Sequence, residues 1–252
     1  MKKEDIQMIY ITGSTYGDYN RFLEDRIIAS LTENDYLIIA GDFGFINSEE
    51  GTITEIVENE ILDALEQAPY TILFIEGVHE HFKTINAYPI ELWCGGKIHR
   101  IRKNIAHLMR GQVFEIEGKR VFTMGGAISS SFADMEKPED KQNYNPDSLP
   151  SIIELEEGWK CLEKVGFEVD IVVTYTATAE MIMIYYPMRH MPYGGKLLPF
   201  LDKVMERVQY KAWYCGWFHM DMRKVLEGHP IGKYCAEKKM YPVYLKIYPV
   251  NV

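Results

Sequence analysis

Leu37-Ile38-Ile39-Ala40-Gly41-Asp42-Phe43-Gly44 reads as a buried strand, Tyr36 to Ala40, that stops on a glycine and hands over to an aspartate. A short, continuous apolar run bounded by turn residues marks a strand covered on both faces. Met8 to Thr12 and Tyr70 to Ile75 repeat the pattern on either side. The intervals carry helical spacing instead. Phe22, Ile27, Ile28 and Leu31 form one stripe, and Ile56, Ile61, Leu62 and Leu65 form another. Strand and helix in alternation predict parallel βαβ units and an α/β fold.

Further along, Gln112 to Ile116 and Arg120 to Met124 flank Glu117-Gly118-Lys119, which reads as a hairpin turn. Ser151 to Val165 is predicted as a helix, bounded by Pro150 and Gly166. Ile171 to Thr174 and Lys211 to Cys215 read as strands, Leu198 to Val208 as a helix, and Asp221 to Tyr248 as short β segments. Residues 132–150 are polar and contain Pro138, Pro146 and Pro150, which predicts a long loop or lid. No repeat or low-complexity tract divides the chain, so a single domain over residues 1–252 is expected.

Composition narrows the function classes. With 47% hydrophobic and 25% charged residues, the chain can bury a core without disulfides or metals. A net charge of -10 argues against nucleic acid as a partner, because phosphate backbones select basic faces. No apolar run is long enough to span a bilayer and the first residues contain no apolar leader, so no membrane role is expected. Cys94, Cys161, Cys215 and Cys235 lack a CxxC pair, which fits reduced thiols in a cytoplasmic protein.

Five segments that follow strands carry the chemistry: Gly13 to Asp18, Gly41-Asp42, Gly77-Val78-His79-Glu80, Tyr175, and Gly216-Trp217-Phe218-His219. Ligands of open α/β sheets bind at the carboxyl ends of the strands, so these segments predict one shared site.

With Ile9 to Gly13, Thr123-Met124-Gly125-Gly126-Ala127 and Trp213 to Cys215 framing them, these motifs resemble the calcineurin-like metallophosphoesterases. The resemblance implies an αββα sandwich of two mixed β-sheets flanked by helices. It also implies a centre where two divalent ions activate a water against phosphorus. By position, Asp42 matches the bridging carboxylate, His219 a metal ligand, and His79 the histidine acting on the leaving group. Ser14 stands where the family has Asp, Val78 where it has Asn, and Tyr16, Tyr175 and Trp217 where it has His. Valine and tryptophan offer a cation no lone pair, and a neutral phenol is a poor ligand. The expectation is therefore a phosphoesterase-like pseudoenzyme with no metal and no cofactor, binding a small molecule or a protein partner.

Tyr16, Tyr175, Trp217 and Phe218, with Ser14 and Val78, would line an aromatic pocket. Met181, Met183, Tyr185, Tyr186, Met188, Met191 and Tyr193 would extend it. The alternative is that the aromatics merely fill the space left by the ions. Asp42, His79 and His219 could form a metal-free acid/base set. Asp42 and His219, with Tyr16 as a phenolate, could instead hold one ion. His81, His99, His107, His190 and His229 have no ligand spacing and read as surface or capping residues. Gly125-Gly126 reads as a tight turn, and Glu55, Glu58 and Glu66 as the solvated face of a helix.

Overall fold

In the computed structural model, residues 8–127, 145–185, 195–222, 228 and 230–252 are described. The apolar runs form the strands expected of them: β1 (Ile9–Thr12), β2 (Tyr36–Ala40) and β3 (Thr71–Ile75). They lie parallel in a seven-stranded sheet with β4 (Ile90–Trp93), β5 (Gly96–Arg102), β6 (Ile105–Leu108) and β12 (Tyr248–Pro249). The order is β12-β1-β2-β3-β6-β5-β4, with β12, β5 and β4 antiparallel to their neighbours.

A five-stranded sheet follows the order β11-β10-β9-β8-β7. It contains β7 (Gln112–Ile116), β8 (Lys119–Met124), β9 (Ile171–Thr174), β10 (Ala212–Cys215) and β11 (Met240–Pro242). Only the β7–β8 hairpin is antiparallel. Its turn residues Glu117 and Gly118 have φ of +51° and +68°, the left-handed pair that a two-residue hairpin loop requires. The fold is thus α/β, with two mixed sheets flanked by helices.

Side chains of β2 and β3 alternate between two cores, as the period of a strand dictates. Ile38, Ala40, Leu73 and Ile75 join the large cluster that contains the second sheet. Leu37, Ile39, Ile72 and Phe74 join a smaller cluster with α1 (Asn20–Glu24), α2 (Ile53–Leu65) and α3 (Phe82–Ala87). The large cluster also takes Leu155 and Leu162 of α4 (Ile152–Lys164), Ile182 of α5 (Ala179–Tyr185), Leu201 of α6 (Leu197–Arg207) and Ile231 of α7 (Ile231–Lys238). Ser151 and Glu154 close a capping box on α4, with the N-cap Ser151 directly after Pro150.

Several expectations are corrected. The stripe from Phe22 to Leu31 is not one helix, since α1 ends at Glu24 and a 3-10 turn, Ile28–Ser30, follows. Ile56 is 59% exposed, so α2 buries only Leu62 and Leu65 fully. Residues 221–248 include helix α7 as well as strands, because Ile231, Tyr234 and Cys235 recur at helical spacing and are buried. The three strands β4, β5 and β6 fill a region to which no element is assigned from the sequence. Residues 128–144, most of the expected loop or lid, lie outside the described residues, as do Tyr186, Met188, His190, Met191, Tyr193 and His229. Among the described residues no helix is long and apolar enough to cross a membrane.

Candidate functional site

The five motif segments follow β1, β2, β3, β9 and β10 and meet around Asp42. The β1 loop is tied to the β2 loop by its backbone. The amides of Thr15 and Tyr16 donate to Asp42 O at 3.1 and 2.9 Å, and that of Gly17 donates to Phe43 O. Gly216 and Trp217 likewise donate to Tyr175 O at 3.0 and 2.9 Å, joining the β9 and β10 loops. Close approach explains two glycines. A Cβ on Gly41 would strike the Tyr175 ring, and one on Gly77 would strike the Asp42 carboxylate. Tyr16, Asp42 and His219 hold φ of +51°, +39° and +48°, a left-handed strain that costs free energy and tends to collect at functional sites.

Asp42 is 1% exposed and every acceptor direction is taken. Oδ1 accepts from the amides of Val78 and His79 at 2.9 and 2.8 Å. Oδ2 accepts from the Tyr175 hydroxyl at 2.5 Å and from His79 Nδ1 at 3.3 Å. Burial alone would raise the Asp42 pKa, but the donors from His79 and Tyr175 outweigh it and hold the carboxyl below its usual range. Its partners respond in kind. Tyr175 is pushed far up, first by burial and then by the Asp42 charge, so it stays a phenol. His79 is raised, chiefly by its bond to Asp42, although its side chain is 60% exposed.

The outer layer is made by Tyr16 and His219. The Tyr16 hydroxyl lies 2.6 Å from His219 Nε2. Burial and the nearby Asp42 push Tyr16 up to about 12, so the phenol donates and Nε2 accepts. His219 is accordingly lowered, mainly by desolvation, and its ring stacks on Tyr244 at 5.1 Å between centroids. Tyr16 and His219 are exposed, whereas Ser14, Tyr175, Trp217 and Phe218 are buried. Phe218 packs edge-on against Trp217 and Tyr185. Met181, expected to line a pocket, is instead fully buried in the core.

The donor set does not fit a two-ion centre. Among the described residues no group of three or more His, Cys, Asp or Glu is arranged to hold a metal ion. Asp42 has both oxygens saturated, and Val78 and Trp217 bring no lone pair to its side.

A second polar cluster is legible only in three dimensions. Glu76, next after β3, ion-pairs with Arg110 and accepts from His107 Nε2 at 2.7 Å. Burial opposes its ionisation, but Arg110 and His107 bring the carboxyl down to about 2. His99 and His107 stack with their Nδ1 atoms 3.0 Å apart. At 2% and 4% exposure they are core residues, which corrects their reading as surface histidines. Arg110 also donates to Asp147 O and Leu149 O, fastening the chain before α4 to the cluster. Between the two centres, Glu80 Oε1 accepts from the Phe43 amide at 2.7 Å, while Oε2 is buried without a partner. Burial and then Asp42 push Glu80 up to about 8, leaving it a neutral acid.

Glu55, Glu58 and Glu66 are half-buried rather than free on a solvated face, since their carboxylates accept from the amides of Gly51, Asn47 and Lys103. No protein-family model matches the chain, and no curated protein matches it.

Proposed function

We propose that this protein is a catalytically degenerate relative of the calcineurin-like metallophosphoesterases. In this reading it keeps the αββα frame and glycine-framed loops of that family, has lost the dinuclear metal centre, and binds a partner without hydrolysing it. One observation carries the reading: the Tyr175 phenol donates to Asp42 Oδ2 at 2.5 Å. A bridging carboxylate must offer lone pairs to cations. Here a phenol, an imidazole and two amides hold them, and an ion would have to displace protein donors. Ser14, Tyr175, Trp217 and Phe218 are packed inside, so an arriving partner meets Tyr16, His79 and His219 at the rim. Such a rim favours a protein partner over an enclosed small molecule. The test is hydrolysis of bis(p-nitrophenyl) phosphate by pure protein supplied with manganese. No turnover above buffer is expected, and turnover that disappears in Asp42→Asn overturns the proposal.

A second reading is metal-free acid/base catalysis at His79, favoured by an exposed imidazole oriented by a buried carboxylate at 3.3 Å. A panel of p-nitrophenyl esters checks it. Turnover lost in His79→Ala but kept in His219→Ala would support it, and an inert panel would end it.

A further inference from the structure

We infer that the exposed face of α2 docks a basic amphipathic helix of a partner protein. Ile53, Ile56 and Val57 stand at positions i, i+3 and i+4 of this helix and are 82%, 59% and 48% exposed. Helical spacing puts all three on one stripe, which Glu60 and Ala64, also exposed, continue toward the end of the helix. Leu62 and Leu65 point the opposite way, into the core.

The fold gains little from the three aliphatic side chains. Half or more of the surface of Ile53 and Ile56 stays in water. β-Branched residues also lose rotamer freedom in a helix, so glutamine or lysine would serve the isolated protein better at these positions. A single exposed aliphatic residue is ordinary, but three on adjoining helical positions make a contiguous apolar patch, the mark of a surface that another element covers. Spacing of i, i+3 and i+4 is the ridge that a second helix receives in its groove.

Charge selects the partner. Residues 49–66 carry seven carboxylates and no lysine or arginine. Three cations of other elements lie near them. Arg102 pairs with Asp63, Lys83 lines a cavity together with Glu49, Glu50 and Glu55, and Lys103 gives its amide to Glu66. Setting all three against the seven carboxylates still leaves four negative charges. Glu60 lies within the stripe, and among the described residues its carboxylate has no hydrogen bond or ion pair. A second copy of the chain would bring the same carboxylates against this face, and an anionic lipid surface would be repelled as well. A helix with lysine or arginine beside its apolar anchors is attracted instead.

The probe is a fluorescein-labelled helical peptide of leucine and lysine, about 14 residues long, with leucines at i, i+3, i+4 and i+7. It is titrated into the whole protein and followed by anisotropy and backbone amide NMR. Saturable binding with shifts centred on α2 is expected. A peptide of the same composition in scrambled order should bind at least about tenfold more weakly, as should one with glutamate in place of lysine. Ile53→Gln with Ile56→Gln leaves the protein's charge unchanged and should cost about tenfold. Both side chains lie outside the core, so the double variant should keep its melting curve. Glu60→Lys, an independent change in the same stripe, should weaken binding severalfold. Equal binding of the scrambled peptide, indifference to the double variant, or shifts centred on Tyr16, His79 and His219 would overturn the inference. Dimers in sedimentation that vanish in the double variant would also overturn it, by placing a second copy on this face. None of these outcomes depends on whether Asp42 binds a metal.

Discussion

Two carboxylates follow neighbouring strands of the same sheet, yet the protein stabilises their charge by opposite means. Glu76 after β3 has a permanent cation, Arg110, and a buried imidazole. Asp42 after β2 has no lysine or arginine against it among the described residues and relies on Tyr175, two amides and the exposed His79. The first arrangement is a closed structural pair that also fastens residues 147–149. The second uses neutral dipoles around a position where the family resemblance places cations, and its rim faces solvent. Glu80, between them, has neither solution. Burial first, and then the charges of Asp42 and Glu76, outweigh the backbone amides that reach it, so it stays protonated instead. Donors arranged around a carboxylate, rather than burial alone, decide its charge.

The largest break in this comparison comes from Arg110→Met. It strands the Glu76 charge in the core and should cost roughly 3–5 kcal/mol, read by urea unfolding. Tyr175→Phe should cost about 1.5–3 kcal/mol, since it removes one charge-assisted hydrogen bond while the ring continues to fill its place against Gly41. A loss well below that would mean Asp42 does not depend on the phenol.

Glu80 sharpens the comparison through pH. Its folded pKa, about 8, lies above the usual 4.5, so the folded state holds a proton that the unfolded chain has released. This group's contribution to stability therefore falls as pH rises from 4.5 to 8, by at most ~1.4 kcal/mol per pH unit. Subtracting the stability curve of Glu80→Gln should reveal that slope, and a flat difference would show Glu80 ionised in the fold.

Much of the frame was legible because its signals are local. Tyr36 to Ala40 is an unbroken apolar run, Glu117-Gly118 has turn chemistry, and Ser151 with Glu154 spells a helix start. The strands from Ile90 to Leu108 were not legible, because His99, Arg100, Arg102 and His107 interrupt their apolar pattern. Those histidines sit in the core beside Glu76, which lies 31 residues before His107 and accepts from its Nε2. Ile56 misled for the converse reason: it sits at helical spacing on a face the sheet does not reach. At the candidate site the motif residues could be picked out by position. Their roles could not, since spacing shows neither that Tyr175 donates inward nor that Tyr16 pairs with His219.

The most direct test of the central claim is metal content. Protein purified without chelators, offered excess manganese, iron and zinc and then desalted, would be measured by elemental mass spectrometry. The arrangement around Asp42 predicts well under one ion per chain. One or two ions per chain, lost in Asp42→Asn, would contradict it and show that the carboxylate still serves a metal rather than Tyr175.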